Sequence, residues 1–173
     1  RGTDVAVVLD LMIHDLDLIL HLTRGAEATD VRANGIAVLT PHLDAAHARV
    51  EFSGGAVATV SASRLSRERT RRLRIWQRSG YFSLDLATGE ADFMRVRDGW
   101  TPGSGSKLED VVEMVRLEAP NADALALELA SFVHSVRGYG DAVVTGAEGR
   151  AALALALRVT DAVRVTPALL PTE

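Results

Sequence analysis

The chain has 173 residues, 47% of them hydrophobic and 24% charged, with a formal net charge of −4 and no cysteine. That size and balance suit one soluble domain with a real core, while the missing thiols exclude disulfides and thiolate metal sites. The negative charge argues against a general nucleic-acid binder, and no apolar run reaches the roughly 18 residues of a membrane span, so the expected compartment is the cytoplasm.

The first residue is Arg1 rather than Met, which is expected of a fragment, a processed product or part of something longer. Gly2, Thr3 and Asp4 then precede the apolar stretch VVLDLMIHDLDLILHL (7–22). Thr3 or Asp4 is placed to cap a helix by accepting an orphan backbone N–H bond. A helix is predicted from about Val5 to Leu22, ending near Gly25.

Short segments of period two come next. VRANGIAVLT (31–40) and AHARVEF (46–52) read as strands, the second turning Ala48, Val50 and Phe52 inward and Arg49 and Glu51 outward. Ser53-Gly54-Gly55 makes a hairpin turn into residues 56–65. RRLRIWQR (71–78), Ser79-Gly80 and YFSLDL (81–86) form a second hairpin, and Thr88-Gly89-Glu90 turns into a strand over 91–97. The Gly- and Ser-rich loop over 99–107 holds Gly103 and Gly105 but lacks the third glycine of a dinucleotide cradle, and a last strand runs over 110–118. Asn121 caps a helix stopped by Gly138, and Thr145 with Glu148 matches a capping box for a final apolar helix that packs on the sheet. The predicted class is α+β: a mostly antiparallel, open-faced sheet of about six or seven strands with helices packed on one face, in a single domain.

Two regions carry candidate chemistry. Asp10, His14, Asp17 and His21 are spaced 4, 3 and 4, so at about 100° per residue they share one stripe of a regular helix. A polar stripe can simply face water. Asp and His are poorer helix formers than the Lys, Arg, Glu and Gln usual on such faces, and an acid four residues before an imidazole suits a general acid or base. A metal site is not expected, because His14 and His21 stand about 10 Å apart along the axis. The other region, RLSRERTRRLRIWQR (64–78), has seven arginines and Trp76. It reads as a solvated strand face or as a source of arginines that reach a ligand phosphate or a partner subunit, with Arg64 taken as the substrate-binding one. Nucleic-acid binding fits poorly with the overall charge.

The order D-x-x-x-H-x-x-D at Asp10, His14 and Asp17 resembles the first helix of the C-terminal domain in the glucose–fructose oxidoreductase / inositol dehydrogenase / MocA family. The resemblance continues through TPHLDAAHARVEFSGGAVATVSASRLS, RRLRIWQRSGYFSLDL and VTGAEGRAALALALRVTDAV, and so covers nearly the whole chain. The first helix and the SASRLS strand look most like members of the UDP-N-acetylglucosamine 3-dehydrogenase type. The resemblance implies the substrate-binding and catalytic half of an NAD(P)-dependent oxidoreductase acting on a hydroxyl of a sugar, cyclitol or sugar nucleotide. It implies that His14 exchanges the hydroxyl proton, that Asp10 orients or tunes the imidazole or binds substrate, and that Asp17 supports them or binds substrate. It also implies a homodimer or tetramer through the open sheet face.

The family's glycine-rich loop and Glu-Lys-Pro motif are absent, and Lys107, the only lysine, does not stand in that motif. NAD or NADP is therefore expected for the complete enzyme and no cofactor on this chain alone, which should not turn over by itself. The alternative is a non-catalytic ligand-binding or oligomerisation domain standing alone.

Overall fold

A computed structural model describes residues 4–67, 70–101, 107–118 and 123–165. The class is α+β. The chain divides into two compact units, one formed by residues 1–67 and 140–173 and the other by residues 68–139.

In the first unit, a π-helical turn over Val8–Met12 runs directly into α1 (Ile13–Leu22). Thr3 lies outside the described residues, and Val7 precedes the helix with no side-chain cap bond. The Val7 N–H instead donates to the Leu43 carbonyl at 2.8 Å. Residues 24 and 25 close the helix in left-handed conformations, with φ of 56° at Arg24 and 70° at Gly25.

β1 (Ala28–Ile36), β2 (Ala45–Phe52) and β3 (Val57–Ser63) form an antiparallel meander. β2 buries Ala46, Ala48, Val50 and Phe52 and leaves His47 and Arg49 exposed, the alternation its sequence predicts. The predicted strand over 31–40 starts earlier and stops at Ile36. Residues 38–40 look strand-like, but a buried carboxylate captures their backbone N–H groups, so they form a loop. The chain leaves this sheet at Arg64.

The chain re-enters the first unit through α4 (Gly146–Ala162). Thr145 and Glu148 make the reciprocal capping box, the Thr145 N–H donating to Glu148 Oε2 at 2.7 Å and the Glu148 N–H to Thr145 Oγ1 at 3.3 Å. α4 buries Ala152, Leu155, Ala156 and Val159, one stripe at helical spacing. These pack with Val7, Val8, Met12 and Leu16 over the inner face of the sheet. A strand not anticipated from the sequence, β8 (Val163–Val165), then pairs parallel to β1. The sheet order is β3-β2-β1-β8.

The second unit is the antiparallel sheet β4 (Arg72–Gln77), β5 (Gly80–Asp85), β6 (Glu90–Val96) and β7 (Val112–Glu118), in that order. A helical turn, α2 (Leu108–Val111), precedes β7. The eight described strands are thus shared between two sheets of four. Gly80 at the β4–β5 turn has φ of 150°, and a Cβ there would collide with the Met94 carbonyl. α3 (Ala124–Val136) is capped by Asp123, whose Oδ1 accepts from the Leu125 and Ala126 N–H groups; Asn121 and the loop glycines 103 and 105 lie outside the described residues. Gly138 ends α3 with φ of 75°.

The buried stripe of α4 sets a stability test. Leu155→Ala should lower the unfolding free energy by about 2–5 kcal/mol, whereas Leu153→Ala, on the exposed side, should cost less than about 1 kcal/mol. Urea unfolding of the two variants checks this, and equal losses would refute the assigned face.

Candidate functional site

Asp44 is the one polar or charged side chain among the described residues that is fully buried. Its Oδ2 accepts the N–H groups of Val38, Leu39 and Thr40 at 2.7, 2.6 and 3.0 Å, and its Oδ1 accepts the Thr40 hydroxyl at 2.9 Å. Its own N–H donates to the Ile36 carbonyl, and its carbonyl accepts from the Arg64 N–H, both at 2.9 Å. Burial alone would raise the carboxyl pKa; the three backbone N–H groups and the Thr40 hydroxyl outweigh it and hold the group well below the ordinary carboxylate range.

Beside it stands Arg64, whose side chain is 12% exposed. Nη1 lies 3.8 Å from Asp44 Oδ1, and Nη2 donates to the Val5 carbonyl at 2.9 Å and reaches Asp10 Oδ2 at 3.4 Å. Nε and Nη1 are shut from solvent and have no hydrogen-bond partner among the described residues. Asp44, Arg64 and Asp10 therefore form a charged chain from the core of the first unit to the start of its first helix.

The four residues of the predicted stripe part company. Asp10 sits inside the π-helical turn, half-buried, and is paired with Arg64 rather than with His14. The stripe assumes a uniform α-helix, and a π turn closes its bonds over five residues rather than four, which rotates Asp10 relative to the residues of α1. His14 is exposed one turn on, and Asp17 is half-buried. His21 lies in the last turn of α1, where a cation suits the helix C-terminus. Its charge reaches Glu148, whose carboxyl is held below its ordinary range by the Thr145 N–H first, by the Thr145 hydroxyl next, and to a smaller degree by His21, against the opposing effect of burial. His21 thus belongs to the junction of α1 with the start of α4. No cluster of three His, Asp or Glu able to hold a metal occurs among the described residues.

Sequence reasoning missed Asp44. An acid closing a turn of Thr-Pro-His-Leu just before an alternating strand, with a threonine four residues earlier, was the available signal.

Chemically, the site offers an exposed imidazole one turn from a fixed carboxylate, which can take or give a proton at a substrate hydroxyl. A dinucleotide does not fit the described residues. The parallel pairing among them is the three-residue contact of β8 with β1, and no glycine-rich turn leads from a parallel strand into a helix to cradle a pyrophosphate.

Residues 3–83 match the GFO/IDH/MocA C-terminal domain. The chain is 39% identical over 163 residues to the UDP-N-acetylglucosamine 3-dehydrogenase of Acidithiobacillus ferrooxidans, a match covering 94% of this chain and 50% of that protein. A solved structure of UDP-N-acetylglucosamine 3-dehydrogenase from the same organism agrees with a TM-score of 0.81 at 39% identity, over 94% of this chain and 50% of that one. An NAD-binding protein from Listeria innocua shares the fold at 18% identity, with a TM-score of 0.71 over 91% of this chain and 49% of its own. The chain spans about half the length of the relatives it matches.

The buried carboxylate has a pH signature. A carboxyl held below its unfolded value contributes stability that is complete above the unfolded pKa, about 3.9, and is lost as pH falls toward the folded value. Asp44→Asn should lower the melting temperature at pH 7, and its gap to the wild type should narrow below about pH 4. Thermal unfolding followed by circular dichroism at pH 7 and pH 3 checks this; a gap equal at both pH values would mean that charge is not what holds the loop.

Proposed function

We propose that this chain is the substrate-binding and catalytic half of a cytoplasmic NAD(P)-dependent dehydrogenase acting on a sugar-nucleotide hydroxyl, with UDP-N-acetylglucosamine as the first candidate. The observation that carries the reading is the fixed Asp10 carboxylate one turn before the exposed His14, on the first helix of a chain 39% identical to a UDP-N-acetylglucosamine 3-dehydrogenase. In this reading a nicotinamide held outside the chain supplies the hydride acceptor. His14 takes the proton from the hydroxyl, or returns it in the reverse direction. Asp10 stabilises the imidazolium and keeps the ring oriented, and Asp17, one turn further along the helix, supports the site or contacts substrate.

The test is His14→Ala in the intact protein. Turnover of UDP-N-acetylglucosamine, followed by nicotinamide absorbance with NAD and NADP in turn, should fall by about 10²–10⁴-fold, with the melting temperature unchanged. Turnover near that of the wild type would remove His14 from this role.

The same reading includes a homodimer, or a tetramer built from it, through the open face of the β4–β7 sheet. One row across that face is Trp76, Tyr81, Met94 and Met114, in register on four strands. Trp76 and Met114 are 72% and 66% exposed, an unusual amount of apolar surface for a free monomer. The wild type should sediment as a dimer or larger at micromolar concentration, and Trp76→Glu should shift it to monomer. A monomeric wild type would refute this interface.

A further inference from the structure

Arg64 raises a question that its place in an arginine-rich run hides. An arginine that binds a ligand phosphate or carboxylate presents two N–H groups side by side, as a planar fork. Each such fork uses two of the three guanidinium nitrogens, so every choice includes Nε or Nη1. Both of those atoms are shut from solvent. The remaining nitrogen, Nη2, is already committed to the Val5 carbonyl at 2.9 Å and to Asp10 Oδ2 at 3.4 Å. The guanidinium faces inward, toward Asp44, and no fork is left for a ligand.

What Arg64 does hold is the entry to the first helix. Val5 lies three residues ahead of the π turn over Val8–Met12, and that turn contains Asp10. The Val7 N–H is bonded to the Leu43 carbonyl next to Asp44, and the Arg64 N–H to the Asp44 carbonyl. Two carboxylates thus flank one guanidinium: Asp44, immobile in the core, and Asp10, half-buried at the site. Among the described residues Asp10 is engaged through Oδ2.

We propose that Arg64 is a positioning residue: anchored from within by Asp44, it fixes the direction of the Asp10 carboxylate and the start of the first helix, and it does not bind the charged part of the substrate. This rests on the reading of Asp10 and His14 as the proton-handling pair. Arg64 acts on turnover through Asp10.

The experiment uses the intact protein with UDP-N-acetylglucosamine and NAD or NADP. Arg64→Lys keeps the charge but cannot span the Val5 carbonyl, Asp10 and Asp44 together. It should lower kcat by about 10- to 100-fold and leave KM within about twofold. In an Asp10→Asn background the same substitution should change kcat by less than about twofold. A raised KM with kcat retained, or the full loss in the Asp10→Asn background, would overturn the proposal.

Amide hydrogen exchange gives a readout that needs no turnover. The Val8–Met12 amides should exchange at least about tenfold faster in Arg64→Lys, while those of Leu155 and Val159 in α4 stay as in the wild type. Unchanged exchange over Val8–Met12 would overturn the proposal, and a variant in which α4 also loosens is replaced by Arg64→Gln, planar and neutral, read the same way. A wild type that turns nothing over, with Arg64→Lys still loosening that turn selectively, would remove the dehydrogenase reading and retain the positioning role.

Discussion

A single carboxylate with no exposure to water organises the first unit. Asp44 accepts four hydrogen bonds through its side chain and makes two more through its backbone. A buried charge is tolerated only when its lone pairs are satisfied, and these bonds satisfy it while bending residues 38–40 out of the sheet. The bend has three results. It ends β1, places the Leu43 carbonyl where it receives the Val7 N–H, and gives Arg64 an internal counter-charge. The first helix therefore enters without a side-chain cap and is held by the loop it packs against. The site residues inherit their placement from a group that touches neither His14 nor Asp17.

The two units reach stability by different means. The first closes a core on itself: the inner face of one sheet is covered by the first helix and α4, and fifteen residues form a continuous buried cluster. In the second, Leu73, Ile75, Phe82, Leu84 and Phe93 share one face of the sheet, yet none of these is fully buried. α3 exposes Leu125, Leu127, Leu129, Phe132 and Val136 to more than half of their full extent. A unit with so little of its apolar surface removed from water has a weak hydrophobic drive of its own. Its regularity comes from the strand ladders and from the Phe82–Phe93 stack, with centroids 4.0 Å apart.

Much of this was legible in the residues. Period-two alternation located seven of the eight described strands, because their side chains meet a wet face and a dry face in turn. The capping box at Thr145 and Glu148 is a local reciprocal interaction and could be read directly. The D-x-x-x-H-x-x-D order marked the helix on which the proposed site lies. Less legible were features set by distant partners. The π turn has no sequence signature here, since Val8–Met12 reads as ordinary apolar helix, and it is this turn that sends Asp10 to Arg64. β8 is too short for any pattern, and its pairing depends on where α4 delivers it. Asp44 looked like one more loop acid because its value lies in three N–H groups that only the folded loop brings together.

The discontinuity of the first unit has a consequence for how the chain matures. Residues 68–139 are inserted between the meander and α4, so β1, β2 and β3 are synthesised long before Leu155, Ala156 and Val159 exist to cover them. At about 5–20 residues per second, the ribosome takes several seconds to cross the insert. Throughout that interval α4 is not yet there to cover the inner face of the nascent meander and the apolar side of its first helix. The internal anchoring by Asp44 and Arg64 involves no residue beyond Arg64, so it is available from the outset. The early half can thus hold its geometry as a waiting scaffold, and α4 arrives as a late lid that completes it.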